Sequence, residues 1–462
     1  MASTVLEKKQ RIFDNKAIFT LLWPVLIEQT LASTVGIADT VMVSSAGDTA
    51  VSAVGLIDTI NNMFIQIFTA IATGATVIVA QLSGRKDEDG VRRTVGQSTA
   101  LMGLVMATIG LAVVLFKAPV FDLLYPKVET AVRENALSYF MLTGASYPFF
   151  GLMIILTGLF RGSGNTRLPM YLSFLVNLIN IALNAVFIFA CDMGAAGAAL
   201  ATLIARIVGA VLMLAASVRK YGRGAFTLKN MRFTGGILKP VLNISFPAGL
   251  DQLLFQGGRL IVSIFVARMG TAAISGNTIG GSMFGLICIP GGAFNVVTTT
   301  VAGQCYGAGA RREAKRDMLK CVLMAIAMMA GLSVILYWIV PYIVLAYHPT
   351  EAAKPIAISI VRLYLVMIPL SWPTSFVAAS GLRAVDDVRF TTAISIPSMW
   401  IVRVLGAWVL GFKCGMGPLG LNLAMGLDWV VRSFFYIPRI LTLKRLKTDV
   451  EPKSAVDLPA AE

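Results

Sequence analysis

The chain has 462 residues, 56% of them hydrophobic and only 14% charged, with a mean hydropathy of +0.77. Soluble domains carry about 25% charged residues, so this composition excludes a soluble globular enzyme, a disordered protein and a fibrous one, and leaves a polytopic membrane protein. The net charge of +15, from 39 basic and 24 acidic residues, would suit a nucleic-acid binder, so where those bases sit has to decide. Five cysteines form no C-x-x-C pair and His348 is the single histidine, so neither a disulfide framework nor a zinc site is indicated.

A spanning helix needs about 20 apolar residues. Twelve apolar stretches meet that need in chain order: 15–43, 52–82, 93–116, 131–160, 168–190, 194–219, 236–268, 274–306, 316–345, 355–381, 389–412 and 418–442. The first carries Glu28 and Asp39 and has no small-residue cleavage site, so it is expected to be retained as a helix. Of the 39 bases, 28 fall in the N-terminal segment, the even-numbered connections and the C-terminal tail, six in the odd-numbered connections, and five inside helices. Such asymmetry places both termini in the cytoplasm. The positive charge is thus mostly a topology signal, and no nucleic-acid partner is expected.

The chain contains itself twice, about 223 residues apart. Pro24 matches Pro247, Glu28 matches Asp251, Gln29 matches Gln252, and Gln81 and Gly84 match Gln304 and Gly307. Cys191-Asp-Met-Gly-Ala-Ala-Gly197 matches Cys414-Gly-Met-Gly-Pro-Leu-Gly420, and Arg161 and Arg167 match Arg383 and Arg389 one residue earlier. Each half holds six helices, an even number, so both have the same orientation and are related by a pseudo-two-fold axis along the membrane normal. The expected fold is all-α: a cytoplasmic segment 1–14, a six-helix N lobe 15–220, a basic linker 221–238, a six-helix C lobe 239–443 and a cytoplasmic tail 444–462. A central cavity at the lobe interface, opened to alternate sides by rocking, follows from such an architecture. Pro24, Gly36, Pro290 and Gly291 are hinge candidates, because a proline inside a helix frees a backbone carbonyl.

Ten ionisable residues lie well within the spans: Glu28, Asp39, Asp58, Asp251, Asp428, Arg206, Arg259, Arg362, Arg403 and Arg432. A charge at the bilayer centre costs about 2.5–3.5 kcal/mol even on the mildest scale, so each is a functional candidate unless it pairs or snorkels. Asp39 is the sharpest, having no base near it in sequence. A carboxylate without a cationic partner must be protonated, ion-bound or hydrated. Asn177, Asn180 and Asn184 share one face of the fifth helix, and Thr202 on the sixth adds a hydroxyl. One carboxylate with amide and hydroxyl oxygens suits H⁺ or Na⁺, a hard cation that takes oxygen ligands; the plainer alternative is a polar seam that glues helices together. The C-lobe counterparts, Val262 and the stretch 399–407, lack the acid and the asparagines, which favours one specialised site. Glu28, Gln29, Asp251, Gln252, Asn177, Arg259 and Arg403 are candidates for the substrate cavity, with a structural anchor in each lobe as the alternative for the repeat-matched Glu28 and Asp251. No Walker A sequence, metal cluster or nucleophile–base set is visible, so an enzyme and an ATP-driven pump are disfavoured and no cofactor beyond the coupling ion is expected.

At these residues the chain resembles the multidrug and toxic compound extrusion (MATE) family. The resemblance is carried by Pro24 through the Gly36-Ile-Ala-Asp-Thr40 segment, Val79-Ala-Gln-Leu-Ser-Gly84, Leu159-Phe-Arg-Gly-Ser-Gly-Asn165 and Gly194-x-x-Gly197-Ala-Ala199, and it spans about 15–445. It implies two six-helix bundles forming a V, and antiport of organic substrates against Na⁺ or H⁺. The DinF-like branch is the nearer match, with Asp39, Asn180 and Thr202 falling on its N-lobe cation site. Asn184 departs from related members, which carry an acid there; the loss weakens the case for Na⁺ and leaves H⁺ coupling. Acids that NorM-like members place in the seventh and tenth helices fall here on Phe255 and Trp372, with Asp251 one turn away. The expected function is secondary efflux of amphiphilic, cationic organic compounds by a monomer in the plasma membrane. The alternative is a flippase for a lipid-linked precursor, whose pyrophosphate the four C-lobe arginines could hold.

Overall fold

The computed structural model describes residues 12–45, 47–126, 128–443 and Leu446; the tail expected at 444–462 and most of the segment 1–14 lie outside these. In hydrocarbon no water satisfies a backbone N–H or C=O, so a spanning segment must be a helix or part of a closed barrel. The apolar stretches form helices: α1 (Asn15–Ser44), α2 (Asp48–Gly84), α3 (Glu88–Leu124), α4 (Thr130–Gly162), α5 (Arg167–Ala190) and α6 (Gly194–Tyr221). After two short turns at Arg223–Phe226 and Leu228–Met231 come α7 (Gly235–Ala267), α8 (Thr271–Ile287 and Ile289–Gly307), α9 (Arg311–Leu345), α10 (Ala353–Ala384), α11 (Val388–Lys413) and α12 (Gly417–Thr442). Side-chain caps open two of them where the chain leaves water: Asp14 accepts from the Ala17 N–H at 2.7 Å, and Asp87 from the Gly90 N–H at 2.8 Å.

Ten of these helices have the length and apolarity to span a bilayer, and the bent α8 pair makes an eleventh. α12 has 26 residues but is less apolar, because it carries Asp428 and Arg432. Both are buried and paired with each other at 2.9 Å, while Leu427, Phe434 and Leu441 stay exposed on its outer face. The expected break in α8 occurs at Cys288, where the two segments bend by 42°, with Pro290 opening the second. Gly291 is required there, since a Cβ would lie 2.3 Å from the Trp372 ring. Pro24, by contrast, sits inside an unbroken α1.

Helices in a bilayer gain little from hiding apolar surface, so close packing through small residues has to hold them. Two large cores and two small ones result among the described residues, and the large ones do not divide where the chain divides. Ile18, Leu22 and Val25 from the start of α1 lie in the C-lobe core with Phe294 and Val297. Val241 from the start of α7 lies in the N-lobe core with Phe68. The α7 entry is fixed by Gly74, where a Cβ would stand 2.2 Å from the Ser245 hydroxyl and 2.5 Å from the Val241 carbonyl. Each lobe therefore lends the beginning of its first helix to the other.

The repeat is also visible as a reciprocal seam between the lobes. A Cβ on Gly84 would lie 2.0 Å from the Gln304 carbonyl, and one on Gly307 would lie 1.9 Å from the Gln81 carbonyl. The side chains of the same two glutamines cross the seam. Gln81 Nε2 donates to the Ala384 carbonyl at 2.9 Å and to Asp386 at 3.0 Å, and Gln304 Nε2 donates to the Gly162 carbonyl at 2.9 Å. Thr300 adds a bond to the Arg161 carbonyl at 3.0 Å. These contacts gather at the end of the molecule that holds the start of α1 and the end of α12. Towards the other end, a Cβ on Gly55, Gly257, Gly281 or Gly285 would meet nothing within 4 Å. The lobes thus close on a seam at the terminal end, and such close backbone approach is absent at these four glycines.

Because overpacking costs about 1–3 kcal/mol, Gly84→Ala and Gly307→Ala should each lower the thermal stability of the purified protein, whereas Gly103→Ala, which points into open space, should not. A melting temperature unmoved by either seam variant would mean that the lobes do not meet as closely as this geometry requires.

Candidate coupling site in the N lobe

α5 is an ordinary α-helix to Asn184 and continues as a π-helix over Ala185–Ala190. Such widened turns interrupt the regular backbone ladder and recur at functional sites. Here the change falls directly after the asparagine stripe. Asn180 and Asn184 are buried, and Asp39 reaches them from the far half of α1. Asn184 Nδ2 donates to Asp39 Oδ1 at 2.7 Å and lies 3.4 Å from Asn180 Oδ1. Asn180 Nδ2 in turn lies 3.4 Å from the Thr202 hydroxyl, which donates to the Ala198 carbonyl at 2.9 Å. Four residues from α1, α5 and α6 thus form one polar chain ending on a carboxylate. Asn184 Oδ1 is buried without a hydrogen-bond partner, so the chain keeps an unused acceptor beside Asp39. Asn177, half-buried, leaves its Nδ2 unpartnered.

A second polar layer lies behind the first. Asp58 Oδ1 accepts from Asn61 and from the Tyr139 hydroxyl, both at 3.3 Å, and Tyr147 donates to Asn61 Oδ1 at 2.6 Å. Arg206 donates to Ser146 at 2.6 Å, with its guanidinium 4.1 Å from the Phe150 ring, and shares the field of Asp58, Tyr139 and Tyr147. Asp58 also repels Asp39 electrostatically. The lobe interior therefore holds two carboxylates against one guanidinium. Sequence reasoning counted Asp58 and Arg206 as unexplained charges and missed Asn61, Tyr139 and Tyr147. Their trace was present: Asp58 and Asn61 are three apart, and the tyrosines eight, each pair sharing one helical face.

The other candidates scatter. Glu28 is 8% exposed and bound to Arg161 at 2.6 Å, an anchor rather than a cavity group. Its counterpart Asp251 accepts from Ser395 at 2.6 Å and faces Arg383. Gln29 touches Gly292 across the lobes, Gln252 and Arg259 are exposed, and Arg403 is buried against Asp428 at 3.0 Å. Among the described residues no group of three or more His, Cys, Asp or Glu could hold a metal ion.

A family model described as MatE matches residues 24–186 and again 247–409, two copies at the spacing of the internal repeat. The chain is 25% identical over 445 residues to "Uncharacterized transporter YisQ" of Bacillus subtilis (strain 168), covering 93% of this chain and 97% of that protein. It is likewise 25% identical over 441 residues to "Probable multidrug resistance protein NorM" of Thermotoga maritima, covering 91% and 90%. Among solved structures, the outward-facing conformation of a multidrug resistance MATE family transporter of the MOP superfamily matches with a TM-score of 0.86 at 21% identity, over 94% of this chain and 96% of that one. A MATE in its straight conformation gives 0.85 at 21% identity, over 93% and 97%. These structures share the fold of twelve helices in two bundles. With the family's pattern present in both halves, the chain belongs to the MatE family, whose members are transporters and not enzymes.

Proposed function

We propose that this chain is a multidrug-type secondary exporter of amphiphilic organic compounds, driven by H⁺ or Na⁺ entering through Asp39. The observation that carries the reading is the Asp39–Asn184–Asn180–Thr202 chain, a carboxylate whose hydrogen-bonding side-chain partner is a neutral amide. A cation bound there cancels a charge that hydrocarbon penalises, so the occupied and empty states favour different lobe arrangements. Only such differential affinity can drive a cycle. The names of the curated relatives support export of drugs. Among coupling ions H⁺ is preferred, because Asn184 supplies no second negative charge for Na⁺. The DinF-like assignment rests on the same residues. The flippase alternative, which needs four C-lobe arginines on one pyrophosphate, fits less well: Arg362 is exposed and stacks on Tyr337 of α9 at 5.3 Å.

The bases at the terminal end orient both termini to the cytoplasm of a plasma-membrane protein. Cys191 and Cys414, exposed in the α5–α6 and α11–α12 connections, then face outside. An impermeant maleimide applied to intact cells should label these two and spare buried Cys305 and Cys321; protection of both until lysis would reverse the orientation. For coupling, Asp39→Asn should abolish substrate movement driven by a proton or sodium gradient in proteoliposomes while leaving substrate binding within about twofold, on the scale of one lost charge far from the ligand. Gradient-driven transport that persists in this variant would sink the proposal. Asn184→Asp restores a second carboxylate and should create sodium-stimulated transport. An unchanged response to sodium would show that the amide does not set ion choice.

A further inference from the structure

The C lobe rebuilds the coupling site with its charge reversed. At the positions 223 residues on, Asp39 is answered by Val262, Asn184 by Ala407, Asn180 by Arg403 and Gly36 by Arg259. Arg403 occupies the π-helical stretch Ser398–Leu405 of α11 and is 1% exposed. It shares Asp428 with Arg432: Arg403 Nη2 lies 3.0 Å from Asp428 Oδ2, and Arg432 Nε 2.9 Å from Oδ1, which also accepts from Ser398. Arg259, exposed on α7, adds a third positive charge to the field of Arg403 and Tyr364. Asp251 and Arg383 balance each other nearby. Three guanidiniums therefore face one carboxylate, in a setting where a charge without a counter-charge is costly.

The hydrogen-bond count leans the same way. Arg403 Nε and Nη1, Arg432 Nη2 and the Trp429 indole N–H are all buried and without hydrogen-bond partners. Those four are donors; Asp428 Oδ2, an acceptor likewise without a hydrogen bond, meets Arg403 Nη2 as an ion pair at 3.0 Å. Buried polar groups are rarely left unpaired, and what this cluster lacks is an acceptor with negative charge. Aromatic surface surrounds it. The Phe255 ring lies 4.5 Å from the Arg403 guanidinium, Trp429 5.6 Å from it, and Phe376 links Trp429 to Trp372. Phe255 is half-buried and one turn before the exposed Arg259 on α7, so these two residues link the buried Arg403 to the surface of α7.

We propose that this cluster is an anion subsite. It takes the carboxylate, or a comparable acid group, of an amphiphilic organic anion or zwitterion, with the apolar part against Phe255 and its aromatic neighbours. The reading rests on the export function above and widens the substrate class from cations to acids and zwitterions. Cation coupling in one lobe and acid binding in the other would then use the two copies of one duplicated pocket.

The test is equilibrium binding to the full chain in nanodiscs with no gradient, using 1-pyrenebutyrate and its cationic analogue 1-pyrenemethylammonium, read by energy transfer from tryptophan. The acid should bind, and Arg259→Gln, at an exposed position, should weaken it about tenfold, the loss of one charge-assisted contact, without weakening the cation. Arg403→Gln leaves the Asp428–Arg432 pair intact and should do the same. Because binding is read with no gradient, it is a separate readout from coupling: gradient-driven transport can fail while acid binding holds, and acid binding can fail while coupling holds. Acid binding indifferent to both arginines would overturn the proposal. Displacement of the acid by inorganic sulfate alone, or protection of the site only by phosphatidic acid vesicles, would overturn it in favour of a small-ion or lipid-headgroup site.

Discussion

A charge held away from water must find its counter-charge inside the protein, and the arrangement of this molecule follows from how each buried charge meets that demand. Glu28 meets it with Arg161 at 2.6 Å, and the matched Asp251 with the neighbourhood of Arg383 and the hydroxyl of Ser395. These two settlements tie α1 to α4, and α7 to α11 through Ser395 and to the field of Arg383 on α10. Asp39 meets it incompletely, through an amide, and the Arg403–Asp428–Arg432 cluster overshoots with one guanidinium too many. Fully balanced pairs hold the frame, and the unbalanced ones are where a mobile charge has a reason to bind. The distinction is physical: removing one partner of a buried pair leaves an uncompensated charge, whereas a site built short of a partner changes its stability with occupancy.

Most of the architecture was legible in the sequence, because two periodic signals are hard to disguise. Apolar runs longer than a bilayer is thick specify helices, and a repeat spacing near 223 residues specifies two alike lobes. The asparagine stripe was legible for the same reason, since i, i+3 and i+4 spacings survive any packing. What escaped the sequence depended on contacts between distant segments. Nothing local in Glu28 announces Arg161, 133 residues on, so the sequence left its role open between anchor and cavity. Tyr139 and Tyr147 take on a polar role only with Asp58 and Asn61 opposite them. The π-helical turns at Ala185–Ala190 and Ser398–Leu405 had no signature in composition.

The seam at the terminal end shows how duplication economises on invention. Gln81 and Gly84 meet Gln304 and Gly307, so one motif serves as both halves of its own contact. A backbone-to-backbone approach of this kind needs glycine on each side and tolerates no added methyl. It also requires that side chains bond to carbonyls, which are identical at every residue. The contact therefore depends little on the side chains elsewhere in the two lobes, while the pockets differ as far as an aspartate and a valine.

The crossing of α1 and α7 has a consequence for how such a chain folds. Each lobe completes the other's core with the first turns of its leading helix, Ile18–Val25 on one side and Val241–Ser245 on the other. A single six-helix half would carry an empty slot beside Gly74 or Phe294 and an unhoused helix end. Two copies side by side in the same orientation would each fill the other's slot. A chain of this kind is therefore one folding unit and not two domains, since neither half completes its core without the leading turns of the other.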